Sequence, residues 1–122
     1  YVNIMAKKNP DKIVVVYYED ETGKRPFAKF FKRVNSQAAV KITSAITRLR
    51  AGNTADSKSV GKGLSELRIN WGPGYRIYYG WDGDKLIVLL SGGAKRTKKL
   101  QSADIEKAQG FWVDYKKRKR KS

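Results

Sequence analysis

The chain has 122 residues, one domain's worth, and 40% of them are apolar, enough for a single modest core. It contains no cysteine and no histidine, which rules out disulfides and thiolate metal sites and argues against histidine-bound metals, Ser–His hydrolases and histidine-pair nucleases. The formal charge is +16, from 27 Lys and Arg against 11 Asp and Glu; a polyanion offsets the self-repulsion of such a small domain, nucleic acid first and an acidic protein next, with a merely soluble basic surface as the alternative.

No apolar run approaches the ~18 residues of a membrane span, and no membrane partner is expected. The missing thiols fit a reducing, cytoplasmic compartment. Met5 is a candidate natural start, which makes residues 1–4 a leader or expression remnant, residues 5–115 the folded domain and residues 116–122 a basic tail. Six of the sixteen excess charges lie in the tail run Lys116 to Lys121, so ten remain on the rest and the bias belongs to the whole domain.

In chain order, Ile13 to Tyr18 is β-branched and aromatic and predicts a strand buried on both faces. Pro26 suits a helix start, and Phe27, Phe30, Phe31 and Val34 follow at helical spacing. Ser36 predicts the N-cap of a second helix whose apolar face is Ala38, Ile42, Ala45, Ile46 and Leu49, ended by Gly52. Asn53 to Gly63 reads as a loop. Three strands follow: Leu64 to Trp71, Tyr75 to Trp81, and Lys85 to Ser91 after a type I′ turn at Asp82-Gly83. Ser102 predicts the cap of a last helix with the stripe Ile105, Ala108, Trp112 and Tyr115, and the tail is expected to fray. The order predicts an α+β domain with an antiparallel-rich sheet: strand, two helices, three antiparallel strands, C-terminal helix.

Alternation sorts the hairpin from Leu64 to Tyr79 into two rows. Pairing Trp71 with Tyr75 puts Leu67, Ile69, Ile77 and Tyr79 on a core row and sets Asn70 against Arg76 and Arg68 against Tyr78. The second turn pairs Tyr79 with Leu86 and Ile77 with Val88, which leaves Ile87 and Leu89 on the polar face needing an apolar cover. The row of Arg68, Asn70, Arg76 and Tyr78 suits phosphoryl transfer on RNA: arginines clamp the phosphate and stabilise transition-state charge, the substrate's 2′-hydroxyl attacks, and Tyr78 stacks on a base or donates a hydrogen bond. The other reading is an ordinary solvated sheet face. The following loop carries Lys95, Arg96, Lys98 and Lys99. A lysine crowded by cations has a lowered pKa and could take the acid–base work histidine cannot do here; otherwise the loop simply binds phosphates, the plainer reading above all for Lys98 and Lys99. Phe27, Phe30, Phe31 and Trp112 read as core, and Glu66 as a neutraliser of Arg68 or a neighbouring lysine, with a role as a base the alternative.

The segment GKGLSELRINWGPGYRIYYGWDGDKLIVLLSGGAKR resembles the core of the RelE/HigB toxin superfamily, in its addiction-module killer branch, and the flanking segments extend the likeness from about Met5 onward. The resemblance implies a RelE-like fold and a type II toxin–antitoxin toxin: a metal-independent, cofactor-free endoribonuclease that cuts mRNA, often on the ribosome, and is neutralised by an antitoxin, often a helix-turn-helix protein. It assigns catalytic roles to Arg68, Arg76 and Lys95, with Arg96 beside it. The sequence departs from the pattern at Ala94, in a more basic loop after Lys95, and at Gln101 and Ser102 where some relatives carry tyrosine or histidine. A non-catalytic RNA- or ribosome-binding module and an interaction domain for an acidic antitoxin are the competing readings.

Overall fold

The computed structural model describes residues 12–121, so the reading of residues 1–4 as a leader lies outside the described residues. Among the described residues the fold is α+β, with five strands and three helices. The order is β1 (Val14–Tyr17), α1 (Pro26–Arg33), α2 (Ser36–Arg50), β2 (Ser57–Gly61), β3 (Leu64–Ile69), β4 (Tyr75–Asp82), β5 (Leu86–Ala94) and α3 (Lys98–Lys121). The strands form one sheet in the order β1-β5-β4-β3-β2. β1 runs parallel to β5, and every other pairing is antiparallel.

Helices cover both faces. α1 and α2 pack Phe27, Phe30, Ala38, Ile42, Ala45 and Leu49 against Leu67, Ile77, Tyr79, Ile87 and Leu89. α3 packs Ala108 and Trp112 against Leu64, Tyr78, Val88 and Leu90 on the other face. This explains why β5 is apolar at consecutive positions: a strand with a helix on each side has no solvent face to alternate toward.

Several local expectations are corrected. The Asn53 to Gly63 loop contains an edge strand, β2, whose polar SKSVG pairs with β3 through a bulge between Ser59 and Gly61; an edge strand with one solvated side needs little apolarity. β1 is also an edge strand, with Val14 and Tyr17 more than two-fifths exposed. Its two covered residues divide between the faces, Val15 toward α1 and α2 and Val16 toward α3. The cap of α2 is Asn35, whose side chain accepts from the Ala38 amide at 2.8 Å, and Ser36 is the first helical residue. α3 begins four residues before Ser102 and runs through the basic tail to Lys121. Tail residues are tied down: Lys119 pairs with Asp82, and Arg118 bonds the Glu19 carbonyl and lies 2.9 Å from Asp114.

The hairpin registers differ from those expected. β3 and β4 pair Ile69 with Tyr75 and Arg68 with Arg76 across a five-residue connection. That is a shift of two residues, so each row keeps its face. β4 and β5 pair Asp82 with Leu86 and Tyr79 with Leu89, with a bulge between Tyr78 and Tyr79. That offset is odd, so it exchanges the faces of β5. Ile87 and Leu89 lie in the core under α1 and α2, and α3 covers Val88 and Leu90 instead.

Candidate functional site

The face of the sheet under the first turns of α3 carries the polar row. Arg68 on β3 is directly opposite Arg76 on β4, and Arg76 is directly opposite Gly93 on β5. Two guanidinium groups facing each other across an antiparallel pair repel. One of them has a carboxylate partner: Glu66 Oε1 accepts from Arg76 Nη1 at 2.5 Å. Glu66 is 1% exposed and is the only charged residue buried among the described residues. Its second oxygen, Oε2, accepts from Gln101 Nε2 of α3 at 2.8 Å. Arg76 Nε is buried and has no hydrogen-bond partner. Arg68 is exposed and none of the ion pairs among the described residues involves it.

The other proposed residues divide into those the fold brings to this face and those it does not. Lys95 does arrive there: its amide donates to the Gly74 carbonyl at 2.8 Å, which ties the exit of β5 to the turn before β4. Gly74 lies so close that a Cβ on it would stand 3.3 Å from Lys95 Cβ. Arg96 also arrives, but engaged: it lies 2.5 Å from Asp104, whose carboxylate raises the Arg96 pKa. Lys98 and Lys99 form the opening of α3, exposed, in a first turn with no acidic residue. Cations at that end oppose the helix dipole, an arrangement that a bound anion relieves.

Two assignments are corrected. Tyr78 offers no ring face for stacking on a base, because α3 covers it and it is 3% exposed, although it contributes to the lining of the groove that Gly93 borders. Burial first, and then the Glu66 carboxylate, push its pKa well above the ordinary phenol range. Asn70 does not face Arg76; it is exposed in the connection after β3. The expected neutralisation by Glu66 is real but its partner is Arg76, two residues along the same row, because the register shift moves Arg76 opposite Arg68.

Beside Arg76 the surface opens. A Cβ on Gly93 would meet nothing within 4 Å, whereas one on Gly92, facing the opposite side, would stand 2.6 Å from the Phe30 ring. Gly93 borders a groove of about 1670 Å³ that runs past Ser91 to Ala94, with Arg96, Asp104 and Lys107 on one wall and α1 on the other. Lys29, Lys32 and Arg33 of α1 add positive charge to that wall. Sequence reading missed them as site residues; the available signal was their place on α1 away from the Phe27 and Phe30 face.

These features define a basic α+β domain whose sheet face presents opposed arginines next to an open, cation-lined groove. Residues 29–112 match the family model described as Phage derived protein Gp49-like (DUF891), and the chain belongs to that family. It is also similar to an uncharacterized protein of Haemophilus influenzae, 45% identical over 78 residues, which are 64% of this chain and 76% of the relative. The family match corrects the resemblance to the RelE/HigB superfamily. The quoted motifs encode an alternating hairpin with a glycine turn and a strand ending in glycines, and such a pattern reports local structure without fixing the family.

Proposed function

We propose that the protein is the toxin of a type II toxin–antitoxin pair, a cytoplasmic, metal-independent endoribonuclease that cuts mRNA engaged on the ribosome and so inhibits translation. An antitoxin, of helix-turn-helix type, is the proposed neutralising partner. The observation that carries this reading is the Arg68–Arg76 pair, two arginines directly opposite in register of which only Arg76 is held by a glutamate, beside the open position over Gly93. A phosphodiester there supplies the missing negative charge. The 2′-hydroxyl of the substrate gives up its proton to water as its oxygen bonds the adjacent phosphorus, Arg68 and Arg76 stabilise the charge that builds on the phosphoryl oxygens, and Lys95 delivers a proton to the 5′-oxygen as the P–O5′ bond breaks, leaving a 2′,3′-cyclic phosphate and a 5′-hydroxyl. Lys98, Lys99 and the α1 cations hold flanking phosphates.

One observation favours a second reading, a module that binds RNA or the ribosome without cutting it. Arg76 and Arg96 are both engaged with carboxylates and Tyr78 is buried, which leaves Lys95 to carry the proton transfer. Primer extension on a message from arrested cells separates the two: discrete breaks support the nuclease, and an intact message with stalled translation supports the binder.

A further inference from the structure

Burying a carboxylate is expensive, and replacing a buried ion pair by apolar side chains is often neutral or stabilising. Glu66 lies on the same strand face as the fully buried Leu64, so an apolar side chain would be the ordinary occupant of so covered a position. The glutamate instead spends both oxygens on groups from different elements, Arg76 on β4 and Gln101 on α3. Without it, repulsion from Arg68 directly opposite would drive the Arg76 side chain toward solvent, where an arginine samples many rotamers. With it, the guanidinium is drawn along the sheet under α3, with Nε buried and lacking an acceptor.

We propose that Glu66 is a positioning residue, anchored by Gln101, that fixes the Arg76 guanidinium so that its remaining N–H groups meet a phosphate of the RNA. The proposal rests on the RNA-cleavage reading of the same site. Its chemistry is that of a held bidentate donor. Glu66 transfers no proton and touches no substrate; Arg76 Nε stays buried, and the phosphate meets the terminal N–H groups that Glu66 leaves free. Gln101 makes the position of Arg76 depend on the docking of the first turns of α3.

The test uses the full chain with Glu66→Gln and Gln101→Ala. The Nε–Hε NMR signal of Arg76, assigned by its disappearance in Arg76→Lys, is followed during titration with an oligonucleotide carrying a 2′-deoxy substitution that blocks cleavage. In the wild type the signal is slow to exchange and shifts on titration. In both variants it exchanges rapidly and shifts less, and kcat for RNA cleavage falls at least about tenfold with KM changed less than about twofold, as misplacement of a charge clamp by a fraction of its length produces. An unchanged Arg76 signal and unchanged kcat in folded Gln101→Ala overturn the proposal, and that variant decides alone if Glu66→Gln does not fold. A loss of affinity with kcat intact also overturns it. Absence of cleavage by the wild type defeats the nuclease reading, and the NMR titration still decides whether Glu66 and Gln101 place Arg76.

Discussion

Arg68 and Arg76 occupy directly opposed positions on β3 and β4, and only Arg76 has a carboxylate partner. Like charges across a strand pair destabilise a sheet by a fraction of a kcal/mol, a repulsion that the phosphate of the proposed RNA substrate would relieve. Arg68→Gln is therefore expected to raise stability by roughly 0.2–1 kcal/mol while weakening RNA binding. Urea unfolding beside an RNA-binding titration checks both directions, and a variant that is less stable and binds as tightly speaks against the arrangement.

Neighbouring glycines on β5 separate fold from function. Gly92→Ala drives a methyl group to 2.6 Å from the Phe30 ring, too close unless the ring or the strand shifts. It is expected to cost about 1–3 kcal/mol, the range for overpacking. Gly93→Ala meets nothing within 4 Å and leaves the fold intact. Its methyl group narrows the space beside Arg76, so it lowers RNA cleavage without moving the unfolding midpoint. Thermal unfolding and a cleavage assay on the two variants give opposite patterns.

The long α3 helix is fastened at its far end by two tyrosine–aspartate pairs. Tyr18 donates to Asp114 and Tyr115 donates to Asp82, each at 2.7 Å. Burial, and next the aspartate acceptor, push each phenol up to about 12 from its ordinary 10.0. The folded state thus holds these protons more tightly than the unfolded chain, and their stabilisation is complete below pH 10 and is lost as pH rises through about 12. The carboxylates shift the other way. A hydrogen bond from Lys119 and then one from Tyr115 lower Asp82, and bonds from Tyr18 and Arg118 lower Asp114. Their contribution is present above the ordinary value of 3.8 and fades as pH falls through the lowered ones. Stability is expected to fall at both extremes, and Tyr115→Phe is expected to flatten the alkaline limb, as denaturant unfolding across pH shows.

Lys98 and Lys99 open α3 in a first turn without acids. If each contacts one phosphate, replacing it with alanine lowers the slope of log affinity against log salt by about 0.7, the value for single strands. Equal slopes in wild type and variants would place these lysines off the RNA path.

Much of this arrangement was legible in the chain. Period-2 alternation placed Arg68 and Arg76 on one face, and the 3.6-residue spacing gave the buried face of α2, because both follow from local geometry. The partner of Arg76 was not legible. It depends on where the β3–β4 connection closes, and a shift of two residues preserves alternation while changing which side chains meet. The β5 faces were misread for a related reason: with helices on both sides, Leu86 to Leu90 has no polar residues to report its register, and the bulge at Tyr78 is invisible in composition. The burial of Tyr78 comes from the docking of α3 through Ala108 and Trp112; helical spacing gives that stripe but not the sheet face on which it packs.

Arg76 as the transition-state clamp is the centre of the account, and its replacement must not leave Glu66 buried without a cation, which costs about 3–5 kcal/mol when a buried pair is broken. Arg76→Lys keeps a positive charge beside Glu66 but loses the planar fork. The decisive measurement is the rate of mRNA cleavage on translating ribosomes by wild type and by Arg76→Lys, mapped by primer extension, with unfolding curves for both. The account predicts discrete breaks by the wild type and a rate at least about 100-fold lower for the folded variant. Cutting by Arg76→Lys at the wild-type rate would contradict it.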